Sequence, residues 1–150
     1  MVLKCVQYRE SHQNYASPSY VFRMEQGIDS ESSKGSFKNL LIWQRAVELS
    51  LVIYELTASF PASEQFGLTS QLRRASVSVA SNIAEGYGRS TRGEYVLFLG
   101  HARGSNCELQ TQLVIAASLG MGAQQKHKRA ENLAQEVGRM LVVLMKRLRD

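Results

Sequence analysis

The most constraining stretch of the sequence is residues 68–108, which we interpret as two helices folded back on each other through a glycine-containing turn at residues 86–90. In both halves polar residues recur at steps of three and four, which places them along one face of a helix. In the second half an apolar line runs beside the polar line, so the stretch predicts a helical hairpin with adjoining polar and apolar stripes. The polar stripes consist of Gln71, Arg74, Ser78, Asn82 and Glu85 in the first helix and His101, Ser105, Glu108 and Gln112 in the second.

Antiparallel pairing of the two helices about Arg89 predicts which polar groups meet. It places Ser78 opposite His101, and Arg73 or Arg74 opposite Glu108. In one interpretation an arginine neutralises Glu108 inside the interface. In the other, one arginine faces outward, because adjacent residues of a helix diverge by about 100°. Which arginine faces outward stays open, and the predicted seam between the helices consists of Gln71, Ser78, Asn82, Glu85, Ser105 and Glu108.

The rest of the chain predicts two further long helices. Only two prolines occur in the sequence, and this favours helices over a loop-rich fold. We expect the first helix to end before Pro61, the second to begin near Ser63 and the third to begin at a Thr91–Glu94 capping box. A fourth helix is expected over about residues 123–148.

Short connections between these helices predict an all-α fold, an antiparallel up-down-up-down four-helix bundle over residues 36–150. Residues 1–35 show no sustained periodicity and are predicted to form a flexible N-terminal arm. The first helix is apolar around most of its circumference, and its predicted core-facing stripe consists of Leu40, Trp43, Ala46 or Val47, Leu51, Tyr54 and Ala58. Such a helix needs cover on two sides, which predicts self-association.

The net charge of +5 belongs to the predicted bundle, because the charges of residues 1–35 cancel. This basic surface predicts binding to the phosphate backbone of RNA or DNA. The start of the fourth helix is basic where the helix dipole disfavours cations, which indicates an external partner or else a solvated face. No aromatic stacking platform is evident, so we expect little sequence preference. The candidate phosphate contacts are Arg73, Arg74, Arg89, Arg92, Lys126, Lys128 and Arg129.

Catalytic and metal-binding arrangements are not found in the sequence. His12, His101 and His127 lie far apart, and no glutamate has a histidine three residues later. We therefore expect a non-enzymatic protein without metal or cofactor. Few cysteines and the lack of a signal or membrane-spanning pattern predict a cytoplasmic protein without a membrane partner. The alternative function is a protein–protein interaction or structural scaffold with no nucleic-acid role.

The hairpin also resembles a known family. The runs GLTSQLRRA (residues 67–75) and SNIAEG (residues 81–86), with Ser78 between them, resemble the bacterial four-helix-bundle proteins encoded in intervening sequences of large-subunit ribosomal RNA. Accessory proteins of diversity-generating retroelements are similar, and the resemblance covers about residues 36–148. It implies a homo-oligomeric, pentameric ring, with nucleic acid and a reverse transcriptase as partners.

Overall fold

The computed structural model describes residues 35–150, and within them the chain forms four long helices. Helix α1 spans Leu41–Thr57, α2 spans Leu68–Tyr87, α3 spans Arg92–Ser118 and α4 spans Gln124–Arg149. Short 3-10 helices at Phe37–Asn39 and Ala62–Glu64 precede α1 and α2. The predicted arm at residues 1–35 lies, apart from Gly35, outside the described residues.

Each helix packs against its neighbours along the chain, and α1 also packs against α4, which closes the bundle. The core between them is built from leucine, isoleucine, valine and alanine side chains of all four helices. Over residues 35–150 the structure contains helices and no strand, which confirms the predicted all-α four-helix bundle.

Local side-chain chemistry explains where α2 and α3 begin. Thr91 Oγ1 accepts a hydrogen bond from the Glu94 N–H (3.2 Å) and donates one to the Glu94 carboxylate (2.7 Å), so the predicted capping box starts α3. Helix α2 begins at Leu68, later than the predicted start near Ser63, because Ala62–Glu64 forms a separate 3-10 turn. The carboxylate of Glu64 then accepts a hydrogen bond from the Leu68 N–H (3.0 Å). The connection at residues 58–67 is therefore longer than predicted.

Helix α1 is rotated about its axis relative to the prediction. Its fully buried face contains Leu49, Ile53 and Leu56. Of the predicted stripe, Ala46 is buried and Leu40 and Trp43 pack against the core, whereas Tyr54 is 40% exposed and Ala58 is also exposed. Since α1 is apolar around most of its circumference, its periodicity does not determine which stripe faces inward. The flanking helices α2 and α4 select that stripe by packing against it.

The α2–α3 hairpin pairs one helical turn away from the predicted register. The hydroxyls of Ser78 and Ser105 lie 2.9 Å apart, so Ser78 faces Ser105 and not His101. Near the turn, Gly86 lies directly against Tyr95, in the first turn of α3. Glycine has no side chain, and its use at this position allows the aromatic ring to approach the α2 backbone closely.

Candidate nucleic-acid interface

The predicted ion pair between Glu108 and Arg73 or Arg74 is absent from the structure over residues 35–150. The Glu108 carboxylate accepts a hydrogen bond from the Gln112 amide (2.9 Å), and the Arg73 Nε donates to the Thr57 hydroxyl on α1 (2.9 Å). Arg74 is exposed and makes no ion pair in this part of the chain. The prediction of a buried pair is wrong because Glu108 and Arg73 bond to other groups, and Arg74 is the arginine that faces outward.

Hydroxyl and amide groups form the seam where a charged pair was predicted. Asn82 Nδ2 donates hydrogen bonds to the Ser78 carbonyl (2.8 Å) and hydroxyl (3.0 Å), and the Ser78 hydroxyl contacts that of Ser105. Asn82 therefore bonds to the residue one turn earlier in α2. Because the Ser78 hydroxyl bonds to that of Ser105, it does not pair with His101 as predicted. A shallow polar pocket beside the seam is lined by Gln71, Arg74, Ala75, Ser78 and Glu108.

Several predicted phosphate-binding cations already bond to other groups of the same chain. Arg89 forms an ion pair with Glu85 and lies over the Phe98 ring, with its guanidinium carbon 4.4 Å from the ring centroid. Lys126 Nζ donates a hydrogen bond to the main-chain carbonyl of Glu55 (3.0 Å), which ties the start of α4 to α1. The helix dipole does disfavour a cation at the start of α4, but for Lys126 the compensating partner belongs to the same chain.

Acidic and basic side chains alternate across the interface of α1 and α4. Arg129 lies 3.3 Å from the Glu48 carboxylate and 3.9 Å from that of Glu55. Arg45 contacts Glu48 (2.8 Å) and Glu136 (3.1 Å), and the hydrogen bond with Glu48 followed by the charge of Glu136 raises the pKa of Arg45. This face therefore neutralises its own cations and leaves them little charge for an external phosphate.

A different set of cations makes no ion pair within the described residues. Arg92 begins α3, and Lys146, Arg147 and Arg149 lie in the last turn of α4. Because α3 and α4 are antiparallel and packed together, these four exposed side chains lie at the same end of the bundle, which we call the basic end. Lys38, just before α1, lies at this end too. Among residues 35–150, the cations that make no ion pair with another described residue are Lys38, Arg73, Arg74, Arg92, Arg103, Lys126, Lys128, Arg139, Lys146, Arg147 and Arg149.

The structure does not gather the predicted candidates into one patch. Lys128 lies near the start of α4, roughly 30 Å from Arg147 by the helical rise of 1.5 Å per residue. Lys146, Arg147 and Arg149 were not among the predicted candidates. A cation in the last turn of a helix is stabilised by the helix dipole, so its presence there does not indicate an external partner. The antiparallel order of α3 and α4 is the signal that places them beside Arg92.

An aromatic groove lies near the opposite end of the bundle, between α1 and the start of α2. Tyr54 and Phe66 line it together with Arg73 and Arg74. Phe66 is 91% exposed, more than any other large hydrophobic residue in the described part of the chain. No aromatic stacking platform is evident from the sequence, whereas the structure exposes two aromatic rings in this groove. A signal was present in the sequence, since Phe66 is a large aromatic residue in a connection next to Gly67.

No group of three histidine, cysteine, aspartate or glutamate side chains within residues 35–150 is placed to hold a metal ion. The ring of His101 packs edge-on against Phe98, with 5.5 Å between ring centroids. Within the same residues, no helix combines the length and apolar character needed to cross a bilayer.

The sequence matches a known protein family. A sequence model of the family described as 23S rRNA-intervening sequence protein matches residues 38–143, which is most of the chain. The protein belongs to this family. The match confirms the resemblance carried by residues 67–86, whereas the similarity to retroelement accessory proteins stays a prediction. The matched segment ends before Lys146, so the α4 part of the basic end lies beyond it.

The fold of this intervening-sequence family member also occurs in a solved structure. A crystal structure of a protein of unknown function from the S23 ribosomal protein family of Bacteroides thetaiotaomicron superposes with a TM-score of 0.64. The two chains are 17% identical, and the match covers 71% of this chain and 99% of the other. At this identity the likeness supports the fold alone. No curated protein matches the chain.

Proposed function

We propose that this protein is a non-catalytic bundle that binds the phosphate backbone of RNA or DNA at its basic end. The observation that carries the proposal is the grouping of Arg92, Lys146, Arg147 and Arg149, all exposed and all without an ion pair among the described residues. Exposed arginine and lysine side chains that contact phosphates release counterions from the nucleic acid, and the weakly hydrated arginine guanidinium loses little hydration in doing so. The family description names 23S rRNA, in whose intervening sequences the resembling proteins are encoded, and RNA is therefore included among the ligands to be tested.

The basic end should recognise phosphates without reading sequence. Its cations lie at the terminus of a bundle, and no helix there projects side chains along a groove of a duplex. Lys128 and Arg74, near the other end, remain secondary candidates. Arg89, Lys126 and Arg129 are weaker candidates, because each must give up an internal contact before it reaches a phosphate.

We further propose that the chain self-associates, with a pentameric ring as the arrangement that the sequence resemblance favours. Exposed large hydrophobic side chains occur on all four helices, and association would remove them from water. Repeating the basic end around such an assembly multiplies weak phosphate contacts through effective concentration. A reverse transcriptase remains a candidate partner on the same resemblance. Apart from Tyr54 and Phe66 in the aromatic groove, the exposed residues are Leu41, Val77, Leu97, Val114, Ile115, Leu119, Val142 and Val143.

Binding is tested by fluorescence anisotropy with labelled RNA and duplex DNA at about 50 and 200 mM salt, with mass measured by light scattering. The matched variants are Arg147→Gln and Arg129→Gln, which make the same change on the same helix. Only Arg129 is paired with carboxylates. We expect Arg147→Gln to weaken binding and to reduce the slope of log affinity against log salt by about 0.7 for a single strand or 0.9 for a duplex. Arg129→Gln should leave the slope unchanged.

Two results would contradict the binding proposal, and a third would contradict self-association. Equal effects of the two substitutions would show that general charge, and not the basic end, governs binding. Absence of binding at the lower salt, by protein that is folded, would leave the protein–protein interaction scaffold as the function. A monomeric mass at micromolar concentration would refute self-association.

A further inference from the structure

Within residues 35–150, the aromatic groove combines exposed rings with arginines that make no ion pair. Tyr54, Phe66, Arg73 and Arg74 line it, and its remaining lining residues are uncharged. The groove is therefore positively charged, with no carboxylate among its lining residues to neutralise it. Exposed rings together with positive charge match the chemistry of a nucleotide, whose base is flat and apolar and whose phosphate is anionic.

The position of Phe66 is fixed by its connection. The Glu64 N–H donates to the Pro61 carbonyl (2.9 Å), and the Gly67 N–H donates to the Glu64 carbonyl (3.0 Å). The Glu64 carboxylate also holds the first N–H group of α2 (3.0 Å). Phe66 lies between these bonded residues, so its ring is presented to solvent by an ordered turn. The main chain at Phe66 is therefore ordered and its ring is exposed, so a base can stack on the ring without displacing another side chain.

The two arginines have different roles in this geometry. The guanidinium carbon of Arg73 lies 4.7 Å from the centroid of the Tyr54 ring, and its Nε donates to Thr57. These contacts make Arg73 a fixed positive charge in the wall of the groove. Arg74 has no ion-pair partner in the described chain and is exposed, so its guanidinium is available to a phosphate.

We propose that this groove binds an unpaired nucleobase of a single-stranded nucleic acid, stacked on Phe66, with the adjoining phosphate at Arg74. The proposal rests on the proposed nucleic-acid binding and adds a contact to it that involves a base. Arg74 lies roughly 20 Å along α2 from Tyr87, the last residue of that helix, which lies at the same end of the bundle as the basic end. A single strand of several nucleotides covers this distance, so one strand can contact both the groove and the basic end.

The test compares two labelled strands with equal numbers of phosphates, an oligothymidylate of about 12 nucleotides and the same backbone with abasic tetrahydrofuran residues. Binding is measured by anisotropy at about 50 mM salt with the full chain. Phe66→Ala should weaken binding of oligothymidylate by roughly 5- to 100-fold, the range expected for loss of one aromatic stack. It should leave binding of the abasic strand unchanged.

Matched variants distinguish base stacking on the Phe66 ring from a general apolar contact and from phosphate binding. Phe66→Leu keeps an apolar side chain without a flat ring and should weaken oligothymidylate binding as Phe66→Ala does, whereas Phe66→Trp should preserve it. Arg74→Gln should weaken binding of both strands and reduce the salt slope by about 0.7. Because Phe66 is almost fully exposed, its variants should melt like the parent.

Several outcomes would overturn the inference. If the parent binds the abasic strand as tightly as oligothymidylate, phosphate binding stands but the base site is wrong. If Phe66→Leu retains the affinity that Phe66→Ala loses, the groove makes a general apolar contact. If Phe66→Ala lowers the mass of an assembly and affects binding of oligothymidylate and of the abasic strand equally, the groove is an apolar contact between copies of the chain. If the parent binds neither strand, both this inference and the proposed function fail.

Discussion

Replacement of Gly86 by alanine tests the close approach of α2 and α3. Gly86 is buried in the last turn of α2, and a Cβ atom there would lie 2.9 Å from both Phe98 Cβ and Tyr95 Cδ2, and 3.3 Å from the Tyr95 carbonyl oxygen. Carbon atoms in ordinary contact are about 3.5–4.0 Å apart. Since one neighbour is a Cβ atom and another is main chain, rotation of a flexible side chain cannot relieve the contact, and α3 must shift.

Two opposing terms set the size of the effect. Alanine favours a helix over glycine by about 1 kcal/mol, whereas overpacking a tight site costs about 1–3 kcal/mol. The upper half of that range is appropriate at Gly86, because main-chain atoms are involved, so we expect a net loss of about 1–2 kcal/mol. Gly104 lies in the middle of α3, and a Cβ atom there has no neighbour within 4 Å. Gly104→Ala should therefore stabilise the protein by about 1 kcal/mol.

The assay is urea and thermal unfolding followed by helical circular dichroism, with both variants and the parent at one protein concentration. The difference of about 2–3 kcal/mol between the variants corresponds to roughly 6–15 °C in melting temperature for a domain of this size. An equal or greater stability of Gly86→Ala compared with Gly104→Ala would refute the close-packing argument. If Gly104→Ala destabilised the protein and Gly86→Ala did not, the face of α3 that contains Gly104 would be covered in an assembly.

Three further predictions follow from buried or corrected polar contacts. Asn106→Ala should destabilise the protein by about 1–2 kcal/mol in urea unfolding, because the Asn106 amide donates to the Ala134 carbonyl (2.9 Å) in the interior. Burial raises the pKa of Tyr95 above its usual value of 10.0, so its folded state resists ionisation. Stability from Tyr95 is present below pH 10 and is lost above it, and Tyr95→Phe should show a smaller alkaline decrease in urea midpoint. Glu108→Gln should change the melting temperature little, because Glu108 is exposed and bonds only Gln112; a loss above about 2 kcal/mol would restore the buried-pair interpretation.

The extent of the helices was largely predictable from local signals. The capping box at Thr91 and the glycines after α2 and α3 act within a few residues of themselves, so sequence spacing is enough to locate them. The start of α2 was less predictable, because either Ser63 or Glu64 can supply a capping oxygen. The orientation of α1 was not predictable, since an apolar stripe is available on several sides. That choice depends on α2 and α4, which are distant in sequence.

The charged site was harder to predict than the fold, and the basic start of α4 shows why. Residues 126–129 are contiguous in sequence, but successive residues of a helix point about 100° apart. Lys126 and Arg129 consequently reach α1, whereas Lys128 is exposed. The contiguous basic cluster is therefore divided between Lys128, which makes no ion pair among the described residues, and cations that contact α1.

The same geometry explains why the basic end is the stronger candidate. Its cations come from the start of α3 and the end of α4, so they become neighbours only when the bundle forms. Glu94, the acidic residue nearest to Arg92 along α3, is occupied by the Thr91 capping box and lies outside every ion pair of the described residues. A phosphate that approaches Arg92 or Arg149 consequently does not have to break an internal ion pair. At Arg129 it would have to displace two carboxylates, and the comparison of Arg147→Gln with Arg129→Gln measures this difference directly.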